Sequence, residues 1–504
     1  MTSRGNLTKQ SVSAVKWSAM GTVARFGLQL CAQIVLARLL GPENYGLFAL
    51  GLIVLTFSNM LADFGFAWGL VQNQNLNERD IRFVFTWQLV CGLVSGIALF
   101  LLAPAIATFF VEPRVEPIIR WLSMASLLIA TTAPASNLLR RKLDFKSINI
   151  IQLVSYSIAY LLIGIPSAYL GAGVWALVAA WLSQAFLALV FSYIRSPHPI
   201  KLLFWYEDAA KMTHVGFAVF GTNVSNWLLN NLDRLFLGRL LNAHEVGLYT
   251  GGYNLANTPN NLFLCALQPA FLAAGARIQE EPERLREVYL SVIGSIWILI
   301  LPLFVIFSMV APDLVAVIYG PAWLPSGIVL SILASAMPAY ITWGMSTPVL
   351  WNTGHKQWES MLQLPILALA ALAFFYFGSQ GIIVVAIIAA GTLVVRALVV
   401  TTAACSLLKI GLRDLREFAL RGFCVGAITA AGVYAGLYLG RMIGTAHLYP
   451  LMLGCLLGGA ALLMTVLIFP EMLGIAVIGM LGRFSPILKS VLMRRLAPVV
   501  QTQL

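Results

Sequence analysis

Charge is scarce in this chain. Only 10% of its 504 residues are Asp, Glu, Lys or Arg, and 60% are hydrophobic, whereas a soluble globular protein carries about 25% charge. A soluble fold is thereby excluded. Paired cysteine is also missing. The six cysteines (Cys31, Cys91, Cys265, Cys405, Cys424, Cys455) all sit inside apolar runs with no CxxC spacing, so they read as small apolar packing residues, not a disulfide framework or a metal site. Histidine is thin as well. His198, His214, His244, His355 and His447 are scattered, and none joins a carboxylate in a recognisable catalytic motif. No polar break exceeds about 20 residues, which leaves no soluble domain to host chemistry. No enzyme, cofactor or metal is expected.

What is present is apolar run after apolar run, each near the roughly 20 residues needed to cross a bilayer core. Continuous runs exclude a transmembrane β-barrel, whose segments are short and alternating. Fourteen spans are expected, near 17–39, 47–70, 84–108, 118–139, 148–170, 174–194, 214–241, 248–272, 289–311, 327–350, 360–378, 381–405, 418–440 and 449–469. The GAG at 171–173 and the SQG at 379–381 read as tight hairpins. The net charge of +12 suggests nucleic acid at first sight, but its distribution points to topology. The termini and the loops on their side hold 24 of the 32 Lys and Arg; the opposite side holds Arg38, Arg114, Arg120, Arg239 and Arg441, and Arg25, Arg234 and Arg396 fall within spans. By the positive-inside rule both termini are cytoplasmic.

Residues 36–51, LARLLGPENYGLFALG, return at 237–252 as LGRLLNAHEVGLYTGG, with seven of sixteen positions identical at an offset of 201, Arg38/Arg239, Gly46/Gly247 and Gly51/Gly252 among them. Six spans separate the copies, so both have one orientation and form a parallel repeat. Repeated lobes are a transporter signature. The expected fold is all-α and polytopic, with about 14 transmembrane helices as two six-helix lobes and two C-terminal helices around a central cavity. The expected segments are a cytoplasmic N-terminal piece at 1–16, an N-lobe at 17–194, a cytoplasmic linker at 195–213, a C-lobe at 214–405, spans 13 and 14 at 406–469, and a basic amphipathic cytoplasmic tail at 470–504.

Polar side chains fall in stripes at helical spacing, which a lipid-facing surface would not use. Span 1 aligns Ser18, Thr22, Arg25, Gln29 and Gln33; span 2 aligns Thr56, Asn59 and Asp63. Span 7 carries Asn223, Asn226, Asn230 and Asp233 with Arg234 beside them, and span 8 carries Asn254, Asn257, Asn261 and Gln268. Span 10 adds Tyr340, Trp343 and Thr347, and span 12 adds Arg396. Helix-to-helix hydrogen bonding is the plain alternative for any one Asn; as an aligned set they suit a water-accessible cavity. Trp227, amid asparagines, is a candidate for stacking on sugar rings. An intramembrane Arg or Asp costs roughly 2.5–3.5 kcal/mol on insertion scales and wants a reason; for Asp233 and Arg234 a local ion pair is the alternative. Arg38 and Arg239, at the mouth of the repeated corner, read as gate residues.

Several blocks resemble a known family: AVKWSAMGTV (14–23), LARLLGPENYGL (36–47), LADFGFAWGLVQ (61–72), GGYNLAN (251–257), PAFLAAGARIQEEPERLR (269–286) and YGPAWLPS (319–326). Over most of its length the chain is similar to Wzx-type flippases, more narrowly to the colanic-acid-type polysaccharide transporters of the multidrug/oligosaccharidyl-lipid/polysaccharide superfamily. The resemblance implies an inner-membrane protein that flips undecaprenyl-diphosphate-linked oligosaccharide, driven by H⁺ or Na⁺, with Asp63 as first and Asp233 as second candidate ion carrier. Arg25, Arg234 and Arg396 then suit the diphosphate, and Gln29, Gln33, Asn59, Asn223, Asn226, Trp227, Asn230, Asn257, Asn261, Tyr340 and Trp343 the glycan. Implied partners are the lipid-linked glycan, membrane lipids, the counter-ion, and a polysaccharide polymerase and co-polymerase. Nucleic acid is not among them, and one chain carrying both lobes suffices as a monomer. Lipid-linked peptidoglycan-precursor flippases carry an Arg-Asp pair late in the first helix; this chain has Ala32 and Gln33 there. Two other readings compete. A drug or cation antiporter of the superfamily sits poorly with three intramembrane Arg; a membrane glycan polymerase or ligase would need a catalytic group and usually a large periplasmic loop.

Overall fold

The computed structural model describes residues 2–63, 70, 76–207 and 209–469. The tail expected at 470–504 lies outside them, and so do the side chains of Asp63 and Asn223. Among the described residues the chain forms thirteen long helices and no strand. They are α1 (Thr2–Asp63), α2 (Glu78–Phe109), α3 (Val115–Arg141), α4 (Phe145–Tyr169), α5 (Val174–Arg195), α6 (Ala209–Leu240), α7 (Ala243–Arg277), α8 (Pro282–Ile318), α9 (Leu324–Asn352), α10 (Lys356–Phe377), α11 (Ile382–Leu407), α12 (Leu412–Ile443) and α13 (Leu448–Ile468). Among the described residues, eleven stretches are long and apolar enough to cross a membrane. Within α1 two helices meet at Gly41, whose φ 71°, ψ 173° is not helical, so the first two expected spans fall on separate helices that count once among the eleven; the asparagine-rich α6 and α7 are not among the eleven.

The helices gather into two compact units, Met1–Thr250 with Phe374–Ile382, and Gly251–Ala373 with Ile383–Leu504. This grouping assigns α6 to the first unit, whereas the repeat in the sequence groups 214–241 with the spans C-terminal to it.

Helix breaks follow local chemistry. Gly41 has φ 71°, a left-handed conformation that a side chain resists, and Pro42 then supplies the fixed φ of a helix start. In the second copy of the corner, Asn242 replaces glycine and accepts from the Glu245 N–H at 2.9 Å, a side-chain cap. The same corner is thus made by different means. The GAG hairpin turns on Gly171 (φ 84°) and Gly173 (φ 57°). In α4 and α8 a stretch of wider π-helix, Ser157–Gly164 and Ile296–Ile300, comes just before Pro166 and Pro302. Proline cannot donate to the preceding turn, and a widened turn relieves its clash with the carbonyl four residues back.

The two copies of the corner meet inside the first unit. A Cβ on Gly46 would stand 1.7 Å from the Ala243 carbonyl oxygen, and one on Gly247 would stand 1.8 Å from the Pro42 carbonyl oxygen. Pro42 and Ala243 are themselves equivalent at the offset of 201. Each copy therefore lays its glycine on the other's helix start, a near-symmetric backbone crossing that only small residues permit. Past α5 the chain runs against the start of α2. Arg82 donates to the carbonyls of Lys201 (3.2 Å) and Leu202 (3.4 Å), Trp87 to that of Phe204 (3.0 Å), and the Leu203 N–H to the Thr86 hydroxyl (2.8 Å). Tyr206 donates to Asp80.

Candidate functional site

In the first unit, the polar stripes of α1 and α6 are tied into the protein. Arg25 donates to the side-chain oxygen of Gln152 on α4 and lies 5.7 Å from the Phe26 ring. Gln29, Gln33, Asn59, Asn226 and Asn230 are half-buried. The Trp227 indole N–H donates to the Thr56 hydroxyl at 3.2 Å, and its ring lies 4.8 Å from that of Phe57. The structure therefore places Trp227 against α1, its ring packed on a protein aromatic. Asp233 is buried and held from three directions. It accepts from the Tyr249 hydroxyl at 2.6 Å and from the Arg234 N–H at 2.8 Å, and lies 3.8 Å from the Arg234 guanidinium. Arg234 also donates to the Asn230 carbonyl at 2.7 Å. Of the two residues expected at the gate, Arg38 is exposed, and Arg239 is exposed with its guanidinium 5.8 Å from the centre of the Phe109 ring.

The second unit brings three expected residues together. Arg396 on α11 is 1% exposed, and its guanidinium lies 3.6 Å from the centre of the Trp343 ring on α9. Tyr340, one turn earlier, has its ring 5.0 Å from that of Trp343. Arg396 also donates to the Gln363 side chain on α10 at 2.6 Å. A planar cation on an indole face is a strong arrangement when desolvated, and burial here makes it so. Gln363 went unread in the sequence. Its signal, a lone fully buried amide in the apolar run of α10, is too common to single out. Beside this cluster, Tyr289, Ser346 and Thr401 form a buried hydroxyl chain with steps of 2.8 and 3.1 Å, linking α8, α9 and α11. On α7, Asn257 accepts from Asn260 at 3.0 Å, Asn261 is half-buried, and Gln268 donates to the Gly344 carbonyl of α9 at 2.9 Å. These amides join helices within the unit.

Several charges outside the spans are paired. The Arg114 guanidinium binds Glu112 at 2.8 Å and Glu43 at 2.7 Å, and holds the Glu112 carboxyl below its ordinary value. At the start of α4, burial pushes the Asp144 carboxyl up. The Ser147 hydroxyl and N–H and the Arg195 guanidinium outweigh it and leave the carboxyl lowered.

Long helices that bury cationic and amide side chains inside apolar spans define a class, the multi-pass helical membrane proteins, and solved structures share the fold. The lipid II flippase MurJ in an inward closed conformation matches with a TM-score of 0.71 over 90% of this chain and 99% of that one, at 14% identity. An inward-facing multidrug resistance MATE family transporter of the MOP superfamily matches with a TM-score of 0.59 over 78% of this chain and 95% of that one, at 16% identity. At such identities the likeness is one of fold. A sequence profile described as polysaccharide biosynthesis protein matches residues 35–327, more than half of the chain. The chain belongs to that polysaccharide biosynthesis family. Curated relatives include the lipopolysaccharide biosynthesis protein WzxC of Escherichia coli (strain K12), 26% identical over 63% of this chain, and the succinoglycan biosynthesis transport protein ExoT of Rhizobium meliloti (strain 1021), 25% identical over 64%. The match spans 65% of the length of each. The teichuronic acid biosynthesis protein TuaB of Bacillus subtilis (strain 168) is 22% identical over 65% of this chain and 68% of its own length.

Proposed function

We propose that this protein flips undecaprenyl-diphosphate-linked oligosaccharide repeat units from the cytoplasmic to the periplasmic leaflet of a bacterial inner membrane, for exopolysaccharide, capsule or O-antigen synthesis. The observation that carries the reading is the coincidence of two matches on one chain. The profile names polysaccharide biosynthesis, and the fold is shared with a flippase of a lipid-linked precursor over 99% of that protein's length. The mechanism is alternating access, with the repeats at 17–194 and 214–405 as moving bodies and both termini cytoplasmic. The anionic diphosphate is drawn by Arg396, with Arg25 and Arg234 as further cations. The glycan takes the amide and aromatic faces of Gln29, Gln33, Asn59, Asn223, Asn226, Trp227, Asn230, Asn257, Asn261, Tyr340 and Trp343. An inward H⁺ or Na⁺ gradient resets the empty carrier through Asp63, with Asp233 second, and the product passes to a polymerase and its co-polymerase.

Deleting the gene tests this. The deletion strain should lose surface polymer and accumulate the lipid-linked repeat unit in its inner membrane, and the intact gene should reverse both effects. Loss of polymer with no accumulated lipid-linked unit would place the block before the flipping step and refute the reading.

A further inference from the structure

One face of the first unit carries a cavity whose lining includes one expected substrate contact, Trp227. It has a volume of about 880 Å³ and is walled by α1, α2 and α6. Its lining on α2 runs from Trp87 to Phe110 at intervals of three and four residues, a single helical face. Small residues seven apart on that face, Cys91, Ala98 and Ala105, hollow it, while Phe57, Trp227 and Phe109 stand as flat walls. The Trp227 N–H is already satisfied by Thr56, and Ser58, the polar one of the four α1 residues in the lining, is bonded to Ser126 and the Ser95 carbonyl. The groove therefore offers hydrocarbon almost nothing but carbon, and a glycan or a cation would find no partner in it. At one end the character changes. Leu235 lines the groove, and one turn further along α6 Arg239 is exposed, with its guanidinium over the lining ring of Phe109.

A hydrophobic trough ending under a cation complements an amphiphile with an anionic head. Its length says which kind. From Trp87 to Phe109 the α2 face extends about 33 Å at 1.5 Å per residue, the whole hydrocarbon thickness of a bilayer at about 30 Å. A phospholipid acyl chain belongs to one leaflet and covers about half of that. We propose that the groove holds the polyprenyl chain of the lipid-linked substrate, with the phosphate nearest the chain at Arg239. The proposal rests on the flippase reading, adds a site for the lipid apart from the amides assigned to the glycan, and moves Trp227 from the glycan to the lipid. It also gives Arg239 a chemical task in place of a gate.

The test is a binding measurement on the purified full-length protein in lipid nanodiscs, using undecaprenyl phosphate with a photoreactive group on its chain and no glycan. Cross-links should fall on residues 87–110 of α2. Ala98→Trp, which fills the groove floor, should weaken binding at least about tenfold, while Leu372→Trp, on an exposed face of the second unit, should leave it unchanged. Arg239→Gln should weaken binding of undecaprenyl phosphate up to about fivefold and leave that of the uncharged polyprenol alone. Cross-links elsewhere, wild-type binding by Ala98→Trp, or displacement by phosphatidylglycerol as effective as by undecaprenyl phosphate would each overturn the assignment. The cross-linking pattern of the unsubstituted protein keeps the result readable if a variant misfolds. Binding of this probe requires no transport. A protein that binds it in the groove yet flips no glycan sinks the flippase reading alone, and one that flips glycan without binding the probe there sinks the groove alone.

Discussion

Arg396 is a charge held 1% exposed on the face of Trp343, and a side chain so placed resists replacement by another cation. Lysine carries the charge but neither the planar face nor the fork of donors. Arg396→Lys should therefore cut transport in cells by at least about tenfold while preserving expression, and Arg396→Ala should abolish it, with stability falling by about 2 kcal/mol from the lost stack. Wild-type export by Arg396→Lys, measured as surface polymer per cell, would show that only the charge matters. Gly46 and Gly247 make a different demand, since their Cβ positions are already occupied by carbonyl oxygens at 1.7 and 1.8 Å. Gly46→Ala or Gly247→Ala must push the two corners apart. Each should destabilise the protein by about 1–3 kcal/mol or more, seen as a lowered melting temperature in detergent, whereas Gly27→Ala, with open space around it, should not. These sites differ in how legible they are in sequence. Arg396 stands out because charge is rare in an apolar span. The glycine pair stands out only as a repeat, and a repeat does not say that its two copies touch.

At the scale of elements, α4 and α5 are fastened at one end by Asp144. Its carboxylate accepts from the Ser147 hydroxyl at 2.7 Å and N–H at 3.1 Å, capping α4, and from Arg195 at the end of α5 at 2.9 Å. Arg195 is well exposed, so the ion pair adds little, and the cap is the main loss in Asp144→Ala, about 1 kcal/mol. The lowered carboxyl sets the sign of the pH effect. A carboxyl more acidic folded than unfolded stabilises fully above its ordinary value of 3.8, and that stabilisation disappears as pH falls through the folded value. The melting-temperature gap between wild type and Asp144→Asn should be constant near neutrality and close in acid. A gap that widened in acid would contradict the assignment. The helices were largely readable from apolar runs, and the Gly and Pro of residues 41–42 marked the first corner. The groove on α2 was not, because its valines, leucines and alanines look in sequence like any lipid-facing surface, and only the packing of α1 and α6 beside them leaves the hollow.

At the scale of the molecule, family, fold and charge pattern point the same way. The spans can be read from where polar residues are tolerated, since a bilayer penalises each one. Which polar residues serve the substrate could not be read from spacing, because an amide that lines a cavity and one that joins two helices occupy the same stripe; Gln268 on Gly344 and Trp227 on Thr56 are of the joining kind. If the proposed gradient coupling holds, Asp63→Asn should slow export at least about tenfold, and wild-type export by that variant would remove Asp63 from the cycle. The most direct measurement is on the purified protein in sealed vesicles loaded with a lipid-linked repeat unit in both leaflets, scored by the fraction open to a membrane-impermeant glycan-modifying enzyme added outside. Vesicles holding the active protein and an ion gradient should expose nearly all of the lipid-linked glycan, and Arg396→Ala vesicles only the outer half. If the active protein also left half of it protected, the chain would not be a flippase for that substrate.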